Sequence, residues 1–410
     1  MKKRIVIIGG GFGGITTMHA LKRHLGHQID LVLIDFRSNT LNKPRLPDVA
    51  IKGESVEHAR FLMKKAVDAD GYLLIQETVT HIDPKNRKVY LKEGGVESYD
   101  YLVLAPGVEK HYDGIEGFRE YGYSVCDDIQ APRLWRRLQT FEGGPVFIGS
   151  MPYKSGSRIE APRLLAPCEG PVGEVMFMLK AFLDSKGIGA ISPITAFSPA
   201  KIFFEDVGDD VRNSVGAIMK KEQIGLLTEK TVKKVDAENI YFTDGTSERC
   251  SLPIILPEYK PYDFITEAGL ADDAGFIPTD KQMRHLDYPE IFAAGDATAL
   301  SVPKLGHIAV LQADIAAKTI AKELGSKVVI PAYEPAVLCI MERSNFKATM
   351  IYSDVLYGRK TDQTLNGTLP YIMKWSFDFY YNFTKGHMPP DFAENLLVNY
   401  LTSKKQIQLK

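Results

Sequence analysis

RIVIIGGGFGG, residues 4–14, sets an unbroken apolar run directly against a glycine cluster. Such a run, without polar alternation, predicts a strand buried on both faces. A helix is expected to follow through about residue 25, and a second apolar run, DLVLID, ends at Asp35. Gly9, Gly11 and Gly14 satisfy G-x-G-x-x-G, with Phe12 and Gly13 opening the helix. The first glycine permits the tight turn, the second lets backbone approach a pyrophosphate, and the third packs helix on strand. Asp35 lies 21 residues beyond Gly14, where a carboxylate can accept hydrogen bonds from a ribose. Strand, loop, helix, strand and acid in register predict a βαβ dinucleotide site.

Two distant segments read as parts of the same unit. YDYLVLAPG (99–107) is a strand ending in the turn Ala105, Pro106, Gly107, and EIFAAGDAT (290–298) is a strand delivering Gly295 and Asp296 at its tip. These three segments together resemble the signature set of the flavoproteins with two dinucleotide-binding domains, whose first domain holds FAD. The resemblance implies that Asp296 binds the ribityl chain and that Val79 adds a cofactor contact. A helix expected to start near Pro303 would turn its positive end toward the flavin, with Lys304 and Leu305 at its entrance. A surface lysine in a first helical turn is the plain alternative for Lys304.

Bulk composition narrows the classes. A chain of 410 residues exceeds what one hydrophobic core usually serves, so two or three units are expected. The 50 basic and 51 acidic side chains leave no field for nucleic acid. No apolar run of about 18 residues spans a bilayer, and the buried-type strand entered by Ile5 leaves no room for a signal peptide. An intracellular protein is expected. Four cysteines, 126, 168, 250 and 339, are too dispersed for a disulfide scaffold and lack the short pairs of a zinc site, so no metal is expected.

Residues 111–280 read as the interposed second unit. Its strand GPVFIG (144–149) is followed by SMPYKSG, in which Gly149 and Gly156 are seven apart, and Met151, Pro152 and Tyr153 would crowd a pyrophosphate. A nicotinamide nucleotide site is not expected. In APCEGPVGEVMF (166–177), Pro171 suits a first helical turn, which puts Cys168 at a helix entrance, where the macrodipole should depress a thiol pKa. Burial as a small hydrophobe is the other reading of such a cysteine. Glu174, six residues on, is a candidate proton acceptor or a helix-surface glutamate.

The ordered contexts GYSVCDD, EGGPVFIGSMPY, APCEGPVGEVMFML, GFIPTD, AAGDATALSVPKLGHIAV and AVLCIMERSN resemble, nearly end to end, the archaeal sulfide:quinone oxidoreductases. The resemblance implies that Cys168 and Cys339 face the flavin and carry a sulfur relay. It implies that Cys126 lies near the flavin, which some members bind covalently through it. Cys250 matches no family cysteine and reads as structural. The segment between FIGSMPY and Cys168 is short for the family, which bears on the cover of the sulfur site.

The aromatic C-terminal segment 371–401 contains Trp375, Phe377, Phe379, Tyr380, Tyr381, Phe383, Phe392 and Tyr400 with Lys374 and Lys385 nearby, and suits a helix lying in a membrane interface. An aromatic core or dimer face is the competing reading, which leaves homo-oligomerisation open. By resemblance, Phe346 and Phe377 are quinone contacts.

The expectation is an α/β fold with two Rossmann-like dinucleotide-binding domains in tandem. The FAD domain (1–110 and 281–325) is interrupted by the second (111–280), and a C-terminal amphipathic membrane-associating region (326–410) follows. The expected activity is sulfide oxidation to polysulfide or sulfur, with electrons passing through FAD to membrane quinone at the cytoplasmic face. A type II NADH:quinone oxidoreductase and a flavin-binding thiol redox sensor are the alternatives.

Overall fold

The computed structural model describes residues 2–343 and 346–389; Phe392 and Tyr400 lie outside them. The first domain opens with β1 (Lys3–Ile8), α1 (Phe12–Leu25) and β2 (Ile29–Ile34). It continues through α2 (Leu46–Lys52), α3 (Met63–Asp70), β3 (Leu73–Ile75) and β4 (Tyr101–Leu104). The apolar cores of β1 and β2 are buried on both faces, which parallel pairing under helices requires. Gly9 turns the chain with φ +100, and a Cβ there would stand 2.2 Å from the Ala105 carbonyl oxygen. A Cβ on Gly14 would stand 1.8 Å from the Gly9 carbonyl, so the helix can lie on the strand only if that position is glycine.

The chain then leaves for the second domain through α4 (Gln130–Gln139), β5 (Val146–Ser150), α5 (Gly170–Ser185) and β6 (Ile194–Phe197). There follow α6 (Asp209–Lys221), β7 (Gly225–Leu227) and β8 (Leu252–Leu256). These strands form a parallel sheet in the order β7-β6-β5-β8. Only afterwards do β9 (Ile291–Ala293) and α7 (Gly306–Glu323) return to the first domain. β9 pairs with β4 and completes the five-stranded order β9-β4-β1-β2-β3. The expected α/β architecture with an interrupted first domain is therefore present. α7 begins three residues after the expected Pro303, because Leu305 is still extended and caps the helix.

The C-terminal part is an antiparallel sheet of β10 (Val337–Glu342), β11 (Ala348–Ser353) and β12 (Asp362–Gly367), followed by α8 (Thr368–Phe383). α8 is amphipathic in an unusual sense. Its buried face carries Pro370, Lys374, Asp378 and Tyr381, and its exposed face carries Leu369, Ile372, Trp375, Phe379 and Phe383. Among the described residues no helix is long and apolar enough to cross a membrane.

Candidate functional site

The C-terminal ends of β1, β4 and β9 open onto one cradle. A Cβ on Gly11, Gly107 or Gly306 would meet nothing within 4 Å, so backbone lines the space and a ligand can approach its N–H groups closely. At the tip of β2, the Asp35 carboxylate accepts from the Gly10 N–H at 2.6 Å and the Arg37 N–H at 2.7 Å. Burial nevertheless raises its pKa above the usual carboxylate value. Ala105 and Pro106 crowd Gly9 from β4, while Val79 sits apart in a hairpin, paired with Leu91. Asp296 follows β9. Burial opposes its charge, but Lys43 at 3.6 Å, with Lys110 and Lys304, holds it below the ordinary value. Gly295 is fixed by Gln312, whose Oε1 accepts its N–H at 2.8 Å. These residues fit FAD: an acid for the ribose, glycine-lined backbone for a pyrophosphate, and a second acid for the ribityl hydroxyls.

Lys304 is buried rather than on the surface. Its Nζ donates to the Thr298 carbonyl at 2.8 Å and lies 4.0 Å from the Phe276 ring centroid, and burial brings its pKa down to about 7 against the pull of Asp296. Its backbone N–H donates to the Pro167 carbonyl at 2.8 Å, so the entrance of α7 is tied to the residue preceding Cys168. Leu305 packs against the second-domain core.

Cys168 and Cys339 meet over Gly170. A Cβ on that glycine would lie 3.0 Å from the Cys339 sulfur and 3.9 Å from that of Cys168, so a side chain there would touch Cys168 and press on Cys339. Both cysteines are free thiols. The expected depression of the Cys168 pKa is not found. Burial, then Asp206, then Cys339 push the thiol well up, and the Gly170 N–H at the helix entrance offsets little of this. Burial and then Glu174 push Cys339 to about 12. Glu174 is itself buried, not on the helix surface. It accepts from the Glu342 N–H at 3.1 Å and pairs with Lys374, and burial raises it to about 7.

Two further carboxyls escaped the sequence reading. Asp206 is buried, with Oδ1 lacking a hydrogen-bond partner, and burial moves it to about 7. Glu169 accepts from the Phe204 N–H at 2.6 Å and is raised by burial to about 8. Glu169 adjoins Cys168 and was findable on that ground. Asp206 comes from the loop between β6 and α6, and no spacing announces it.

Cys126 is partly exposed on the cradle's other flank, beside Lys110 and Tyr259. The Lys110 Nζ stands 3.1 Å from the Tyr259 ring centroid, and burial lowers its pKa to about 8. Burial raises the Cys126 thiol while Lys110 pulls it the other way. Cys250 is buried in a separate core with Phe147 and Ile255. After β5, residues 151–169 form no helix. Met151 and Tyr153 turn inward, and Tyr153 packs on Phe276 beneath Lys304. Directly after β5 the chain thus packs against Phe276 and Lys304.

Phe346 is exposed and meets Tyr371 edge-on at 5.6 Å, whereas Phe377 stacks on Tyr381 at 5.9 Å. Tyr371, which Phe346 meets, is in the first turn of α8, whereas Phe377 lies in the middle of that helix, about 9 Å further along its axis.

The chain is 24% identical to the sulfide-quinone reductase of Aquifex aeolicus over 98% of its length and 96% of that protein's. It is 23% identical to the mitochondrial sulfide:quinone oxidoreductase of Dictyostelium discoideum, over 88% of this chain and 79% of that one. The solved structure of the Aquifex aeolicus sulfide:quinone oxidoreductase superposes with a TM-score of 0.85, covering 96% of this chain and 94% of that one at 24% identity. The family model described as pyridine nucleotide-disulphide oxidoreductase matches residues 3–141 and 192–313, both sides of the sulfur pair's first cysteine. This protein belongs to the pyridine nucleotide-disulphide oxidoreductase family.

Proposed function

We propose that this protein is an FAD-dependent sulfide:quinone oxidoreductase. The observation that carries the reading is the meeting of Cys168 and Cys339 over Gly170, with Pro167 bonded to Lys304 at the edge of the dinucleotide cradle. FAD, when bound, supplies a two-electron acceptor between sulfide and quinone. Gly9, Gly11, Phe12, Gly13, Gly14, Asp35, Ala105, Pro106, Gly107, Gly295, Asp296, Lys304 and Leu305 are the residues assigned to hold it, and Val79, apart in its hairpin, is not among them.

The polypeptide's own part is sulfur and proton handling. Cys168 and Cys339, joined as a disulfide or through bridging sulfur, offer an electrophilic bond to sulfide, and its cleavage frees one of them as thiolate. Glu174 accepts the accompanying proton, its pKa near neutrality suiting that task. Lys304 places positive charge at the cradle when protonated. Cys126 is assigned as a thioether anchor for the cofactor. The polysulfide product leaves past the short cover over Cys168.

Quinone enters from a membrane surface on which the exposed aromatic face of α8 lies, with Phe346 and Phe377 as ring contacts. The protein is assigned to the cytoplasmic side of the membrane. The domains are assigned as 1–110 with 281–325, 111–280 and 326–410. The test is anaerobic: follow flavin absorbance after adding sulfide, and separately after adding NADH. Bleaching by sulfide alone, reversed by quinone, is expected. Bleaching by NADH alone would mean that residues 151–169 open to a nucleotide and that the cysteines are packing.

A further inference from the structure

Where the segment after α8 crosses α1 and α3, three side chains from the two ends of the chain meet. They are His19 on α1, Asp70 at the end of α3, and His387. One ring nitrogen or carboxylate oxygen from each lies within 4.8 Å of the other two, with His19 and Asp70 buried and His387 half-buried. The crossing is tight: Gly386 has φ +94, and a Cβ there would stand 2.4 Å from Ile15 Cγ2, one turn before His19 on α1. The expectation of no metal rests on the cysteines alone, and histidines this far apart in the chain give no spacing signal.

The surroundings of His19 decide what the group can hold. Its Nε2 faces the Lys385 carbonyl oxygen at 3.0 Å, and because a carbonyl only accepts, Nε2 carries a hydrogen. Its Nδ1 lies 2.7 Å from Asp70 Oδ2. A ring lone pair and a carboxylate oxygen approach so closely only with a proton or a metal ion to share. Lys22 does not compensate the carboxylate directly, since its Nζ donates to the Asp70 backbone carbonyl at 2.6 Å. A proton needs only His19 and Asp70, whereas a metal ion calls for a further donor, which His387 supplies. The bond from Nε2 to a backbone carbonyl is also the one that a metal-ligating histidine makes with its second nitrogen, fixing the tautomer and the ring orientation.

Small adjustments are required. Zinc bonds of about 2.0–2.2 Å place ligand atoms roughly 3.3 Å apart, so His19 and Asp70 open by about half an ångström. The His387 ring stacks on His19, centroids 3.6 Å apart and planes at 21°. Stacked rings aim their lone pairs side by side, so His387 turns about its side-chain torsions to reach the same ion. Its backbone need not move: Thr384 Oγ1 donates to the His387 carbonyl at 3.3 Å, and the Gly386 N–H donates to the Tyr381 carbonyl at 2.8 Å.

We propose that His19, Asp70 and His387 bind a divalent first-row metal ion, Zn²⁺ by donor type, which clasps the segment following α8 to the first domain. Two imidazoles and one carboxylate match zinc, whereas calcium and magnesium take oxygen donors. Three protein donors leave the fourth tetrahedral position to water. The ion's work is mechanical: it ties the chain beyond the aromatic helix to α1, the helix that opens in the glycine loop of the cradle.

The experiment uses tag-free, flavin-loaded full-length protein, stripped with chelator and titrated calorimetrically with zinc chloride. One zinc per chain should bind with a dissociation constant of about 1 µM or tighter, and elemental analysis after gel filtration should count it. His387→Ala and Asp70→Asn should each weaken binding by about a hundredfold. Wild type that retains no zinc overturns the site, leaving a proton between His19 and Asp70. Variants that hold zinc as well as wild type also overturn it, because the ion then sits elsewhere, as on the Cys168 and Cys339 sulfurs. Should the variants fail to fold, X-ray absorption of the wild-type complex decides: imidazole and oxygen neighbours are expected, and sulfur neighbours refute the assignment. Zinc should also slow trypsin cleavage after Lys385 by about tenfold, and binding with undiminished cleavage removes the clasp.

Discussion

Cys168 stands before the positive end of α5 and yet its thiol is held in the protonated form. A helix dipole contributes at most a kcal/mol or two at its end, whereas burying a thiolate beside Asp206 and a second sulfur costs more. Reactivity at this residue is consequently gated by whatever removes its proton or replaces it with a sulfur bond. In reduced protein at pH 7, alkylation of Cys168 and Cys339 should be at least about tenfold slower than that of an ordinary exposed thiol, rising only at alkaline pH. Peptide mass spectrometry of iodoacetamide-treated protein over a pH series measures this, and fast labelling at neutral pH would refute the burial argument. The residue's place before a helix was legible in the sequence, while the sulfur role assigned to it came from the resemblance. Its ionisation was not, because the opposing carboxyl comes from a loop distant in sequence.

α8 shows how one helix serves two surroundings. Trp375, Phe379 and Phe383 follow one another at four-residue spacing, their rings stacked at 5.9 and 5.8 Å along the exposed side, while Lys374, Asp378 and Tyr381 point inward. Leaving these rings in water is unfavourable, and moving each into a lipid interface contributes about 1 kcal/mol or more. Replacing all three with serine should weaken binding to lipid vesicles by about a hundredfold or more, as sedimentation would show. Equal binding by the variant would remove α8 as the membrane face. The aromatic stripe was visible in the sequence. The inward ion cluster was not, because Lys374 and Asp378 read as ordinary polar residues until Asp48 in α2 and Glu174 in α5 are brought against them. The elements around Gly9 were more legible, since the glycine spacing and the apolar runs are local signals that tertiary packing only confirms.

At the scale of the molecule, burial raises Glu169 to about 8, Asp206 and Glu174 to about 7, and Asp378 to about 6, and moves Asp272 and Glu342 in the same direction. Unfolded, each would lose its proton near pH 4. Between about pH 4 and 8 the folded state therefore binds more protons than the unfolded one. Stability supplied by these groups is whole at low pH and declines as pH rises, by up to about 1.4 kcal/mol per pH unit for each proton retained. The urea midpoint of the flavin-loaded protein should fall from pH 5 to pH 8, and a flat or rising midpoint would contradict the burial of these groups.

The order in which the first sheet is completed has a consequence for synthesis. β9, Asp296 and α7 belong to the domain that β1 begins, but the whole second domain separates them in the chain. On the ribosome, the N-terminal half must wait beside an open sheet edge while well over a hundred residues emerge, since β4 has no neighbour on that side until β9 arrives. Nascent chains arrested before residue 290 lack both Asp296 and the closing strand. Such chains should neither retain flavin nor resist protease as the full chain does, so cofactor capture is a late event in the life of this polypeptide, following the folding of the domain inserted into its binding site.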